Sequence, residues 1–154
     1  MARVNSGVSP EHLSDQHLVA ESVEITMIVG SLRLNRYEVK GEIPKRYTLG
    51  KGHINFFKDK LVYLQKRLNE VNSEMLRRGF KPGTKLDLDE FPDKYKNDWI
   101  PNLEDTIQLR NRIADRLLNP RSGKKDLHRY KGVILTEQMQ AFKDNILNSE
   151  LYYV

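Results

Sequence analysis

Apolar positions along the chain fall into four runs with helical spacing. The clearest is Phe57, Leu61, Leu64, Leu68, Val71 and Met75, whose alternating steps of four and three place them on one face of a long helix. Gly79 stands where a residue in the left-handed conformation ends such a helix, and Pro82-Gly83 prevents continuation. A second run starts near Pro10 and passes through Leu13, Leu18, Ile25, Ile28 and Leu32. Its stretch Val23-Glu24-Ile25-Thr26-Met27-Ile28-Val29 is rich in β-branched residues, so a strand competes locally. Positions 18, 21, 25, 28 and 32 keep a helical step and predict a helix. A third helix is predicted after Pro101, with Asn102 as N-cap and Glu104 and Asp105 in the first turn, running through Ile107, Ile113 and Leu117 to Asn119-Pro120. The last is an amphipathic tail from Thr136, an N-cap candidate, through Met139, Phe142 and Ile146. Polar or Gly/Pro-bearing connections cover residues 35–52, 81–101 and 121–132, and no internal repeat or low-complexity segment is present. The pattern predicts an all-α, single compact domain with long loops, and long loops in a small domain are often functional.

Composition narrows the function classes. The 154 residues suit one domain, and no apolar run approaches the roughly 20 residues of a membrane-spanning helix. With no cysteine, a disulfide scaffold, a thiolate metal cluster and a cysteine nucleophile are excluded. Met1-Ala2-Arg3-Val4-Asn5 lacks the apolar core of a signal peptide, which predicts a cytoplasmic, intracellular protein. The net charge of +5 leans only weakly towards an anionic partner, and its distribution says more. Residues 1–28 carry one Arg against four acids, residues 29–83 carry thirteen Lys/Arg against five acids, and residues 121–131 carry five against one. Solvated faces account for any single cluster. Two basic stretches around an acidic segment fit a groove that neutralises phosphates beside a carboxylate site.

The common catalytic signatures are missing. There is no phosphate-binding Walker loop, no dinucleotide-binding G-x-G-x-x-G, no H-E-x-x-H and no G-x-S-x-G elbow. His12, His17, His53 and His128 lack metal-ligand spacing, so no metal and no cofactor is expected. What remains is a carboxylate cluster, Asp15, Glu21 and Glu24. Glu21 and Glu24 share a helix face, and His17 lies one turn before Glu21. A solvated acidic face is the competing account of that pattern. The N-terminal amine is a further candidate nucleophile. Its reference pKa, about 7.7–8.0 against roughly 10.4 for lysine, leaves an appreciable neutral fraction at neutral pH without burial. Small Ala2 after Met1 is a context in which initiator methionine is expected to be removed, exposing the Ala2 amine.

Several segments in order resemble one known family. They are Asp15-Gln16-His17-Leu18 with Ala20-Glu21 and Glu24, then Leu49-Gly50-Lys51-Gly52-His53, Phe56-Phe57 with Asp59-Lys60-Leu61, and Arg78-Gly79-Phe80. This set is similar to the phage pyrimidine-dimer DNA glycosylase/AP-lyase family, the ultraviolet-repair endonuclease V type. Trp99-Ile100-Pro101 and Arg112 resemble the start of its third helix. The resemblance covers most of residues 1–118, and the tail from about Thr136 has no counterpart. It implies three principal helices with the N-terminal segment threaded between them, plus an extra C-terminal helix. Residues 1–135 would be the glycosylase-like domain and 136–154 an added helical tail.

The resemblance also implies a two-stage activity. The Ala2 amine would attack C1′ of a damaged nucleotide, expel the base and form an imine. Glu24 would stabilise the developing positive charge and move protons, and β-elimination would cut the strand 3′ to the sugar. Ala2 replaces the family's usual threonine, whose side chain takes no part. Arg3 and His17 fall on positions that contact DNA near the lesion. Gln16, Lys51, Arg78, Arg112, Arg116, Lys124, Lys125, Arg129, Tyr130 and Lys131 complete the expected DNA-binding set. The expected partner is double-stranded DNA with a damaged or abasic nucleotide, bound by a monomer, in the host cell if the protein is phage-encoded.

The chain departs from the family in three places. Val23 and Met27 replace arginines flanking the catalytic glutamate, and Thr26 stands where proline is usual. The C-terminal aromatic-basic patch is reduced to Leu127-His128-Arg129-Tyr130-Lys131, and Leu68 replaces a polar residue of the flipped-base pocket. Pyrimidine dimers are the default lesion. Another modified base, bare abasic sites, or DNA binding without base excision are the alternatives.

Overall fold

The computed structural model describes residues 3–83, 85–118 and 128–154. It is mostly helical. The helices are α1 (Asp15–Leu34), α2 (His53–Phe57), α3 (Leu61–Arg77), α4 (Leu103–Leu118) and α5 (Met139–Asn148), with single 3-10 turns at Pro10–His12 and Asp93–Tyr95. Two short strands, β1 (Arg129–Tyr130) and β2 (Val133–Ile134), pair antiparallel. Among the described residues no helix is long and apolar enough to cross a membrane.

Two predicted ends follow from local chemistry as read. The Asn102 side chain accepts the Asp105 N–H at 2.8 Å and donates back to the Asp105 carboxylate at 3.0 Å, closing the start of α4. At the end of α3, Gly79 has φ +84°; its N–H reaches the Leu76 carbonyl and the Phe80 N–H reaches that of Met75. This double bond pattern needs a left-handed residue, and glycine adopts it without a Cβ clash.

Three expectations are corrected. The helix expected from Pro10 begins at Asp15, because Ser14 caps it with Oγ accepting the His17 N–H, and Pro10–His12 is a separate turn. The long helix is broken between Phe57 and Leu61, where Lys60 leaves helical geometry and its ammonium donates to the Phe56 carbonyl. The break lets the α2 rings turn inward beside the α3 face. The tail helix is preceded by Gln138 in the N-cap position, without a side-chain cap, and Thr136 contributes only its carbonyl to the Met139 N–H. The fold is mostly helical, as the all-α reading expects, with one small two-stranded hairpin beside the helices. Lys131 and Gly132 both have positive φ, the geometry of a two-residue turn whose twist matches the strands it joins. Asn119, Pro120 and residues 121–127 of the predicted third connection lie outside the described residues.

The core forms two adjoining clusters. Phe56, Phe57, Leu61, Leu64 and the Ile25–Leu32 half of α1 build one; Leu18, Val71, Met75, Leu109, Ile113 and Ile146 build the other. Residues 4–8 thread through both, with Val4 in the first and Val8 in the second, each fully buried. Tyr47 and Trp99 stack at 5.9 Å and meet Phe56 and Phe57 edge-on, fastening both long loops to α2.

Candidate active site

The N-terminal segment is held by buried charge. The Glu21 carboxylate and the Arg67 guanidinium, both fully enclosed, form a bidentate pair at 2.7 and 2.9 Å. Arg67 also donates to the Val8 carbonyl at 2.7 Å, and Asn5 donates to Glu21 at 3.0 Å. One turn of α1 and one of α3 thus grip the segment from side chain and backbone. Breaking such a pair costs about 3–5 kcal/mol, because the surviving charge stays buried. Upstream, the Val4 N–H donates to His53 Nε2 at 3.2 Å, while His53 Nδ1 lies 2.8 Å from the Thr48 carbonyl. These contacts require a neutral imidazole with its proton on Nδ1, and burial holds the His53 pKa down at about 4. Arg3 donates through Nε to the Leu49 carbonyl at 2.9 Å.

Glu24 faces this end of the segment. It is 7% exposed, and burial raises its pKa above the usual carboxylate value while the charge of Arg3 draws it back. A carboxyl so placed exchanges a proton more readily near neutral pH than a solvated one. Seven residues earlier on α1, His17 lies along the same edge, about 10 Å away by helical rise. Burial, followed by the charges of His128 and Arg112, lowers its pKa to about 3, so the ring is neutral. His17 Nδ1 is buried without a hydrogen-bond partner among the described residues, and the ring lies 4.5 Å from that of His128. The positive charge of Arg112 on α4 contributes to lowering the pKa of both His17 and His53.

The remaining candidates separate. Asp15 accepts from the Lys131 and Gly132 amides at 2.9 and 2.8 Å and from Arg78 at 2.9 Å, and Gln16 accepts from the Arg129 amide at 2.8 Å. The start of α1 therefore seats the hairpin, with Arg129 and Lys131 exposed on it. Tyr130 lies under the Arg78 guanidinium at 4.5 Å and donates to the Glu11 carbonyl. Arg78 itself is fully enclosed and shared among Asp15, Glu74 and the Pro10 and Glu11 carbonyls. It ties the end of α3 to the start of α1. Lys51 is exposed and Arg116 half-buried. Ala2, Lys124 and Lys125 lie outside the described residues. No group of three or more histidines and carboxylates suited to a metal ion occurs among those described.

Beside the site, α1 turns an apolar stripe outward. Val23 is 53% and Met27 62% exposed, and with Val19, Leu68, Met75 and Lys81 they line a groove of about 320 Å³. Two residues with clear positional roles were not singled out from the sequence, Arg67 and Arg110. The signal for Arg67 was present: a cation between Leu64 and Leu68, on the apolar face of α3, demands a buried partner.

Comparison with known families adds one finding. The sequence model of a family described as pyrimidine dimer DNA glycosylase matches residues 1–88, the stretch holding the N-terminal segment and α1 to α3.

Proposed function

The chain belongs to the pyrimidine dimer DNA glycosylase family, whose members repair DNA by binding it at damaged sites and releasing the base, and from that premise we propose that it is also an AP lyase working through the Ala2 amine and Glu24. The observation that carries this reading is the buried Glu24 carboxyl, with its raised pKa, beside Arg3 on the threaded segment. Val4 is anchored to His53, and two residues of chain span at most about 7 Å, which is the reach available to the amine from that anchor.

In this mechanism the amine nitrogen bonds to C1′ as the bond from C1′ to the base breaks. The departing base keeps the electron pair and takes up a proton, for which protonated Glu24 is the donor. The attacking nitrogen gives up a proton, O4′ is released as a hydroxyl when the sugar ring opens, and the product is an imine. The Glu24 carboxylate then removes a proton from C2′, and the C3′–O bond breaks with its electron pair on the 3′ phosphate. Water finally hydrolyses the imine and frees the amine. Attack on C1′ requires a distorted duplex, and the cost of distortion is lowest at damaged positions. Arg3 beside the carboxyl, His17 further along the same edge of α1, Gln16, Arg129, Tyr130 and Lys131 around the hairpin, and Lys51, Arg112, Arg116, Lys124 and Lys125 form the proposed DNA surface, used by a monomer. Arg78, fully enclosed, acts by holding the hairpin's seat.

Borohydride reduction tests the reading. Protein lacking Met1, incubated with duplexes carrying a pyrimidine dimer or an abasic site, should give a covalent adduct that disappears when the amine is blocked. Binding without an adduct would overturn it. A second reading, a different modified base as substrate, is favoured by the exposed Val23 and Met27 where the family resemblance places arginines. The same assay on modified-base duplexes distinguishes it.

A further inference from the structure

The segment after α5 crosses the molecule and ends against the N-terminal segment. Arg110, on the buried face of α4, donates through Nη1 to the Ser149 carbonyl and through Nη2 to the Glu150 carbonyl at 2.9 Å. The same Nη2 reaches the Gly7 carbonyl at 3.2 Å. One guanidinium therefore joins the tail backbone to the N-terminal backbone. A second link is direct, since the Tyr152 N–H donates to the Gly7 carbonyl at 3.1 Å. A third runs from the Tyr152 hydroxyl to the Glu70 carboxylate of α3 at 2.7 Å. Beyond it, Val154 packs against the core cluster that contains Val4.

The contact leaves no room for a side chain at residue 7. Gly7 has φ +81°, and a Cβ there would lie 2.3 Å from Thr106 Oγ1 and 2.8 Å from the Leu151 side chain. Tail, α4 and N-terminal segment thus meet at one backbone carbonyl, a few residues downstream of the proposed nucleophile. The Gly7 carbonyl carries two donors from this side, while Val8 and Asn5 are gripped from the other side by Arg67 and Glu21.

We propose that residues 149–154, clamped by Arg110, are a strap that fixes the N-terminal segment and sets the approach of its amine to C1′. Arg110 and Tyr152 are then positioning residues for imine formation, and the tail serves the chemistry rather than recruiting a partner. The proposal rests on the amine mechanism above. Its physical basis is that a near-attack geometry is lost when the chain carrying a nucleophile can drift by an ångström or so.

Two variants of one residue test it. Tyr152→Pro removes the N–H that holds Gly7, whereas Tyr152→Phe keeps that bond and loses only the hydroxyl. Arg110→Ala is the companion that releases the clamp. With full-length protein lacking Met1, imine formation is measured in single turnover by borohydride trapping at saturating abasic-site duplex, and affinity is measured on an uncleavable duplex. Tyr152→Pro and Arg110→Ala should slow imine formation at least tenfold, with duplex affinity within about twofold, while Tyr152→Phe, which loses only the link to Glu70, should slow it by less than threefold. Amide hydrogen exchange at residues 4–8 should rise in the two slow variants. Unchanged rates, equal slowing by Tyr152→Phe and Tyr152→Pro, or a rate loss matched by an equal loss of affinity would overturn the strap. If the parent forms no adduct, the amine mechanism fails, and amide exchange alone still decides whether the strap orders the segment.

Discussion

Glu24 shows how a single carboxyl acquires a role that its type does not confer. On a solvated helix face it would be an ordinary anion; buried at 7% exposure beside Arg3, it holds its proton to higher pH. The sequence motif pointed to Glu24, but only packing accounts for that raised pKa. Glu24→Gln keeps the side-chain shape and removes the proton transfer. Strand cleavage at an abasic site should therefore fall about 100-fold or more, a typical contribution of general acid–base catalysis, while duplex binding is retained. Gel-based cleavage kinetics beside an affinity measurement check this, and unchanged cleavage removes Glu24 from the mechanism. Arg67 and Arg78 make the converse point. Both lie in a basic stretch that suggested phosphate contacts, and both are spent on internal carboxylates. Charge counted along a sequence does not distinguish a cation facing solvent from one facing a buried acid.

Among the elements, α1 carries the clearest departure. Its inward edge holds Glu21 and Glu24, its first turn seats the hairpin, and its outer face shows Val19, Val23 and Met27. Because Val23 and Met27 are exposed, arginine at both positions should fold without disturbing the core. If this face meets phosphate, Val23→Arg with Met27→Arg should strengthen duplex binding and steepen its dependence on salt. The slope of log K against log[salt] should grow by about 0.9 for each new phosphate contact. Fluorescence anisotropy at several salt concentrations measures it, and an unchanged slope would mean the face lies away from the backbone. The ends of α3 and α4 were legible because Gly79 and Asn102 act within a few residues of themselves. The break before Leu61 was not, since the apolar spacing runs unbroken from Phe57 across it. The hairpin was missed for a related reason. Two residues per strand are too short for a readable alternation, and its position depends on Asp15, more than a hundred residues away in the chain.

The molecule as a whole is stitched through its N-terminal segment, and that stitching carries a pH dependence. His53 must be neutral to accept the Val4 N–H, and its pKa falls from 6.5 to about 4 on folding. A base whose folded pKa is depressed takes up protons preferentially when unfolded. Stability is therefore complete above about pH 6.5 and declines as pH falls towards 4. By pH 5 His53 alone should cost about 2 kcal/mol, or roughly 5 °C in Tm for a domain of this size. His17, with its pKa near 3, adds in the same direction. Glu24 opposes them in the lower part of the window, because its folded pKa is raised. Thermal unfolding at pH 7.5 and 5 should show the drop, and His53→Gln should reduce it to the part that His17 supplies; an identical Tm at both pH values would contradict the neutral-imidazole clamp. Helical periodicity, the two local caps and the ordered motif around Glu24 were readable directly, because each depends on residues close together in the chain. Which cations are buried, where the tail docks and how the N-terminal segment is held were decided only by folding. Those outcomes rest on contacts such as Arg67 with Glu21 and Tyr152 with Gly7, whose partners are separated by 46 residues or far more, and burial there sets both charge and position.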